Sequence, residues 1–169
     1  YGCENGVGNA VKYHRWPALS PGINKVSEFI PVARVADMLL LPNEAFDYDG
    51  KKLKYPDIKL VYWAGGNPFH HHQDLSRLIE AFTKPECIIV NEIWWTSTAR
   101  HADIVFPITT ALERNDLMIT KWEQTASPMH RAIDPIGESK NDYEVFTELS
   151  SRLGRWEEFT EGRDEEGWL

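Results

Sequence analysis

The stretch that decides the fold runs from Ile58 to Ile79 and reads IKLVYWAGGNPFHHHQDLSRLI. It begins with apolar residues up to Ala64, a run that is typical of a buried strand. The sequence Gly65-Gly66-Asn67-Pro68 then predicts a tight turn, because glycine and proline interrupt regular structure. Beyond the turn, apolar side chains recur at helical spacing, namely Leu75, Leu78, Ile79 and Phe82. The stretch therefore predicts a strand, a glycine turn and a helix.

A second apolar run, Cys87 to Val90, follows this helix and ends in Asn91 and Glu92. In a βαβ unit the carboxyl ends of both strands meet at one sheet edge, where glycines let a ligand approach the backbone. An acidic residue that closes the second strand can there accept hydrogen bonds from a ribose hydroxyl or a guanine N–H group. The turn and Glu92 together suggest a nucleotide site. An ordinary βα loop that binds nothing stays the alternative, because the G-x-G-x-x-G fingerprint is absent.

A third apolar run, Ala102 to Ile108, completes a βαβαβ pattern. This pattern predicts an α/β fold, a Rossmann-like three-layer domain with a mostly parallel sheet and flanking helices. The other predicted elements are a helix from Asn24 to Leu41 that stops at Pro42, a hairpin within Asn43 to Pro56, a short helix within Thr96 to His101 capped by Thr96 or Ser97, and a helix from Asn141 to Leu153.

The helix from Asn141 to Leu153 has the clearest local signals. Asn141 and Glu144 have the spacing of a capping box, and Gly154 is placed to end the helix. Its predicted buried side consists of Tyr143, Val145, Phe146, Leu149 and Leu153. Between the third strand and this helix, the sequence carries few signals apart from a polar cluster at residues 113–116.

Composition sets limits on the class of protein. The 169 residues are 42% hydrophobic and 26% charged, which is typical of a soluble chain long enough for one full core. A net charge of −8 argues against general nucleic-acid binding, and no apolar run is long enough to span a membrane. We expect a single α/β domain over 1–169, excised from a larger protein. It would divide into an irregular initial segment (1–23), an α/β core (24–154) and a loosely held acidic tail (155–169).

Several side chains are of types that can bind metals or act in catalysis, but the residue pattern does not favour such roles here. Three consecutive histidines, His70 to His72, point about 100° apart on a helix and cannot jointly ligate one ion, so we expect no metal site. Asp103 is expected to bind backbone N–H groups rather than to act in catalysis. Trp94 and Trp95 lie near the ligand edge, although core filling explains them equally well. Cys87 is expected to be an inert core residue, without a disulfide to Cys3.

Four separated blocks of the sequence stand out together: Tyr62–Pro68, His71–Asp74, Thr98–Pro107 and Glu113–Asp116. In this order they resemble the molybdopterin oxidoreductases of the dimethyl sulfoxide reductase family. Within the family, the chain resembles the branch of bacterial biotin sulfoxide, trimethylamine N-oxide and dimethyl sulfoxide reductases. The similarity extends from about Ile30 to the end and includes Phe159–Gly162.

The resemblance implies an enzyme that carries molybdenum between two molybdopterin guanine dinucleotides and abstracts oxygen from an S-oxide or N-oxide. It implies that this domain binds one dinucleotide through Gly65, Gly66, Asn67, His71, Gln73 and Asn91 or Glu92. Relatives often carry aspartate where Glu92 stands, so the guanosine contact would be rearranged relative to theirs. The ligand of the metal, usually a serine in this branch, would lie elsewhere in the parent. We therefore expect no catalytic or metal-binding residue in this chain, no cofactor bound to it alone, and no activity alone.

Two other classes of function stay open at this point: a stand-alone module that binds NAD or another nucleotide, and a non-catalytic interaction domain. The missing glycine fingerprint disfavours the first. The expected partners are the remaining domains of the parent and a small S-oxide or N-oxide, with an unknown electron donor. The compartment, periplasmic or cytoplasmic, depends on a signal peptide upstream of this sequence.

Overall fold

The computed structural model describes residues 22–26, 29–119 and 125–168. Its strands are β1 Ala45–Tyr48, β2 Lys51–Lys54, β3 Leu60–Ala64, β4 Cys87–Glu92, β5 Ile104–Pro107, β6 Asp116–Met118 and β7 Ser127–Met129. Its helices are α1 Val35–Leu40, α2 Pro68–His71, α3 Leu75–Ala81, α4 Asp142–Arg152, α5 Trp156–Thr160 and α6 Glu165–Trp168, with 3-10 turns at Val32–Arg34 and Ala99–His101. The expected initial segment, 1–23, lies almost entirely outside the described residues.

The three predicted apolar strands form one parallel sheet in the order β3-β4-β5. Ala64 at the end of β3 pairs with Asn91, and Glu92 at the end of β4 pairs with Pro107. All three strands therefore deliver their carboxyl ends to the same edge. The prediction of an α/β fold with a parallel sheet is confirmed.

Helices α1 and α3 cover the first face of this sheet. Side chains alternate along a strand, so Ile88 and Val90 point to this face, where they pack in a cluster with Leu39 and Leu78. The exposed fraction of Val90 and Leu78 is 0%. A salt bridge of 2.7 Å between Arg77 of α3 and Asp37 of α1 joins the two helices. This cluster is the main core of the described chain.

Helix α4 lies on the second face. The Tyr62 ring, on β3, is 5.4 Å from the Phe146 ring of α4. Asn91 of β4 donates a hydrogen bond to the Asp142 carboxylate at the start of α4. Helices thus flank the sheet on both faces, as the βαβαβ pattern predicted.

The predicted helix from Asn24 to Leu41 is wrong in its first half. Residues 22–26 and 29–30 have no helical structure, and helical turns begin at Val32. Pro31 has an extended ψ of 140°, and the residue before a proline is biased away from helix, so the helix starts after it. The predicted stop before Pro42 is correct, because α1 ends at Leu40.

The predicted hairpin is present as β1 and β2, with Phe46 opposite Leu53. Asp49 and Gly50 connect the strands with φ angles of +49° and +70°. Two consecutive positive φ angles define the primed turn that suits a two-residue hairpin. A second hairpin, β6 with β7, was not predicted.

The capping box of α4 is also confirmed. The Asn141 side chain accepts from the Glu144 backbone N–H, and the Glu144 carboxylate accepts from the Asn141 backbone N–H. The predicted buried side is wrong at its C-terminal end, because 37% of Leu149 and 67% of Leu153 are exposed. The strands below α4 cover its first turns more than its last.

Residues 155–168 are more structured than the loosely held tail that we expected. Helix α5 packs on α4, where the Phe159 ring stacks 5.6 Å from the Tyr143 ring, and Thr160 is fully buried. The Tyr143 hydroxyl donates to the Arg163 carbonyl, and Trp168 Nε1 donates to the same hydroxyl. Aromatic contacts hold this segment, and the acidic composition of the sequence had obscured them. How firmly they hold it stays a prediction, as does the division into segments.

Among the described residues, no helix is long and apolar enough to cross a bilayer.

Candidate functional site

Two consecutive glycines follow β3 at the carboxyl edge of the sheet. Gly65 and Gly66 have φ angles of +79° and +77°, a region that side chains with a Cβ rarely adopt. A Cβ added to Gly65 would have no atom within 4 Å, and one added to Gly66 would meet only Trp63 Nε1 at 3.8 Å. The space above the turn is therefore open, and its backbone is accessible to a ligand.

Asn67 connects this turn to the loop after β4. Its side-chain oxygen accepts a hydrogen bond from the Thr98 hydroxyl, and Thr98 is completely buried. Its backbone carbonyl accepts from the His70 N–H at 2.9 Å, which starts helix α2. The two loops at the sheet edge are thus held together by a buried polar contact.

The carboxylate of Glu92 is fixed at the end of β4. One oxygen accepts from the Ile93 backbone N–H and the other from the Thr96 hydroxyl, each at 2.9 Å. The Thr96 hydroxyl also accepts from the Ala99 N–H. The N-cap of the 3-10 turn is Thr98, without a side-chain hydrogen bond, and not Thr96 or Ser97 as predicted. A carboxylate has about four acceptor sites, so each oxygen of this half-buried group retains capacity for a donor on a ligand.

Asn91 has a different environment from Glu92. Only 6% of it is exposed, and its amide is engaged on both sides, by the Tyr62 hydroxyl at 2.9 Å and by Asp142 at 2.8 Å. Burial raises the pKa of Tyr62 above its ordinary value of 10.0, and the Asp142 charge adds to this effect. Asn91 therefore attaches α4 to the sheet, and Glu92 is the residue of the pair with an available acceptor.

His71 ends α2 and Gln73 lies just beyond it. Both line a small depression together with Val32, Trp63 and His72. His72 Nδ1 accepts from the Asp74 N–H at 3.3 Å, so in the neutral ring Nε2 carries the proton. Trp63 Nε1 and His72 Nε2 are buried and have no hydrogen-bond partner within the described part of the chain. Trp63 Nε1 lies 3.8 Å from the position of a Cβ on Gly66, and an unsatisfied donor beside open glycine backbone fits a ligand that is rich in oxygen.

A second, polar cavity of about 180 Å³, partly open to solvent, lies beyond the end of β5. The half-buried Arg114 lines it and donates to the Thr109 carbonyl at 2.6 Å and to the Asp116 carboxylate at 2.9 Å. Glu113, 5% exposed, accepts from the Thr110 N–H, the Thr110 hydroxyl and the Ile136 N–H. The Thr110 N–H is the main cause that lowers the pKa of Glu113. The sequence identified this polar cluster but gave Arg114 no role; its place in the polar run 113–116 between β5 and β6 was the available signal.

Other predictions have mixed outcomes. The Asp103 carboxylate accepts from the Ile88 backbone N–H at 2.8 Å, as expected of a structural residue. Trp94 and Trp95 do not fill the core, since 67% and 71% of them are exposed. Cys87 is half-buried rather than buried.

The chain belongs to the molybdopterin oxidoreductase family, whose model matches residues 18–152. It is 50% identical over its whole length to a biotin sulfoxide reductase of Cereibacter sphaeroides, of which it covers 23%. It is 53% identical over 141 residues, 82% of the chain, to a trimethylamine-N-oxide reductase of Haemophilus influenzae, of which it covers 17%. The chain thus spans about a fifth of the length of these curated relatives.

A comparison with solved structures supports the fold. Acetylene hydratase from Pelobacter acetylenicus superposes on 62% of the chain with a TM-score of 0.55, and the chain covers 14% of it. The sequence identity is 24%, so this similarity concerns the fold alone.

Proposed function

We propose that this chain belongs to a molybdenum-dependent S-oxide or N-oxide reductase and holds a molybdopterin guanine dinucleotide at the carboxyl edge of a Rossmann-like sheet. The observation that carries the proposal is the pair of positive-φ glycines after β3, open to solvent and followed across the edge by a fixed carboxylate at Glu92. Membership of the family supplies the class of ligand.

Each residue at the carboxyl edge has a different part in the proposed binding, according to its chemistry. The backbone of Gly65 and Gly66, with its small cross-section, suits a phosphate group. Asn67 holds the two loops together, and His71 and Gln73 face the same depression beside the turn. Glu92 is the acceptor for the N–H edge of guanine, while Asn91 positions α4.

The metal supplies the oxygen-atom abstraction when the cofactor is bound in the complete enzyme. This chain contributes binding and orientation, and its proposed site residues include none that acts on the substrate. The second dinucleotide, the metal ligand, the oxide substrate and the remaining domains belong to the longer parent. The names of the relatives, biotin sulfoxide and trimethylamine-N-oxide reductase, support this class of substrate.

A matched pair of substitutions in the full-length parent tests the proposal. Gly66→Ala adds a methyl group to the turn, and Gly50→Ala adds one in the β1–β2 hairpin, where φ is +70° against +77° at Gly66. Both variants carry a similar conformational strain of about 1–2 kcal/mol. We expect a loss of guanine dinucleotide and molybdenum per folded molecule in Gly66→Ala alone. Equal and full cofactor content in both variants would contradict the proposal.

A further inference from the structure

Three apolar side chains of the sheet share the second face and are largely uncovered. Strand alternation and register put Leu60, Ile104 and Phe106 on the same face as Tyr62, because Ile104 pairs with Ile89 and Phe106 with Asn91. Their exposed fractions are 55%, 43% and 39%. Parallel sheets occur almost only with both faces covered, so this exposure requires an explanation.

Helix α4 contacts part of this face. Its contacts reach β3 through the Tyr62–Phe146 pair and β4 through Asn91 and Asp142, and none of these reaches β5. The connection from β4 to β5 contains a 3-10 turn instead of a crossover helix. That turn lies on the first face, where the His101 ring stacks on Phe69 of the main core at 4.2 Å.

Helix α4 extends the uncovered area. Phe146, Leu149 and Leu153 have the i, i+3, i+7 spacing of a single helical stripe, and Phe146 is its member on the sheet. Leu149 and Leu153 are 37% and 67% exposed. The second-face patch therefore comprises Leu60, Ile104, Phe106, Leu149 and Leu153. Large apolar side chains exposed on one side of a fold in this way mark an interaction surface.

We propose that the second-face patch is the docking surface for an apolar helix from the rest of the parent polypeptide. Helices are what cover the faces of parallel sheets. The chain spans 17% to 23% of its relatives, so ample polypeptide exists in such proteins to supply the helix. A net charge of −8 repels a second copy of this chain, which makes self-association the poorer occupant.

Two cysteine variants of the full-length parent test this surface on one helix. Leu153→Cys lies in the patch, whereas Ser151→Cys is exposed on α4 about 200° around the helix axis. We expect a maleimide to label position 153 more slowly than position 151 by about an order of magnitude in the native parent, and both at equal rates in urea. Quantification by peptide mass spectrometry separates these sites from other cysteines. Equal native rates would overturn the proposal, and so would protection that disappears on dilution, because a second copy then covers the patch.

Photo-crosslinking identifies the occupant. Benzoylphenylalanine in place of Leu153 in the parent is expected to crosslink within one molecule to a segment outside these 169 residues. A crosslink to residues of this chain alone, or to a separate polypeptide, would refute the proposed occupant. Either result leaves the cofactor proposal intact, because the patch lies on a face of the sheet and not at its carboxyl edge.

Discussion

Glu92 carries the sharpest residue-level prediction. Glu92→Gln in the parent keeps the size of the side chain but removes the negative charge of the acceptor that Thr96 and Ile93 hold in place. A hydrogen bond to a charged group contributes roughly 1.5–3 kcal/mol, so we expect cofactor affinity to fall about ten- to a hundredfold. Retained guanine dinucleotide per folded molecule, measured after dilution, reports the change.

Asp103→Asn provides the carboxylate control for this experiment. Asp103 accepts from the Ile88 N–H and has no part in the edge, so its loss is expected to lower the melting temperature while the folded protein keeps its cofactor. If instead Glu92→Gln stays fully loaded and Asp103→Asn folds without cofactor, the guanosine contact has been assigned to the wrong carboxylate.

The lowered pKa of Glu113 predicts that the stability of the chain depends on pH. Its pKa in the folded chain is lowered from the ordinary value of 4.5, chiefly by the Thr110 N–H. The stabilisation from this carboxylate is therefore complete above pH 4.5 and is lost as the pH falls below it through the folded pKa. Urea unfolding across this range should show a steeper acid loss for the natural chain than for Glu113→Gln. Parallel curves for the two proteins would show that Glu113 does not contribute.

At the level of single residues, the sequence placed Asn91 and Glu92 at the correct strand end but could not distinguish their roles. Adjacent strand residues point to opposite faces, and which face is covered depends on Asp142, distant in sequence. The amide of Asn91 consequently attaches α4 to the sheet, and the carboxylate of Glu92 remains available as an acceptor at the carboxyl edge. Local pattern contains no information about such a partner.

At the level of elements, the cap of α4 supports a stability prediction. Asn141→Ala removes the acceptor for the Glu144 N–H and the donor to Glu165 of α6 at 2.6 Å. Loss of an N-cap costs about 0.5–2 kcal/mol, so the urea midpoint is expected to fall accordingly. Ser151→Ala, exposed on the same helix, is the control and should leave the midpoint unchanged.

Hydrogen exchange of residues 165–168 should also accelerate in Asn141→Ala; unaltered exchange there would argue against a link between α4 and α6.

Elements with local signals were predictable, and those that depend on distant contacts were not. The caps of α4, the hairpin turn at Asp49 and Gly50, and the strand alternation all act over a few residues. Strands β6 and β7 have three residues each, too few for a period to be visible, and they pair across eight intervening positions. The packing of α5 depends on aromatic contacts with α4 that the acidic composition concealed.

For the molecule as a whole, the carboxyl edge is one wall of the proposed binding site. The glycine turn, Trp63 and Glu92 all belong to β3, β4 and the loop that follows β3. The uncovered second face adds a separate requirement for more polypeptide. Both features agree with a chain that spans about a fifth of its relatives.

The isolated 169-residue chain offers a test of the class of function. We expect it to contain no stoichiometric molybdenum, because one wall of the site binds the cofactor too weakly to retain it through purification. GDP presents the guanine and phosphate groups that Glu92 and the glycine turn are proposed to bind. It should raise the melting temperature more than NADH does at equal concentration, since the ligand that binds more tightly stabilises the fold more. Elemental analysis and thermal shift measure the two outcomes. Stabilisation by NADH alone would identify an NAD module, and no response to either nucleotide would favour a non-catalytic interaction domain.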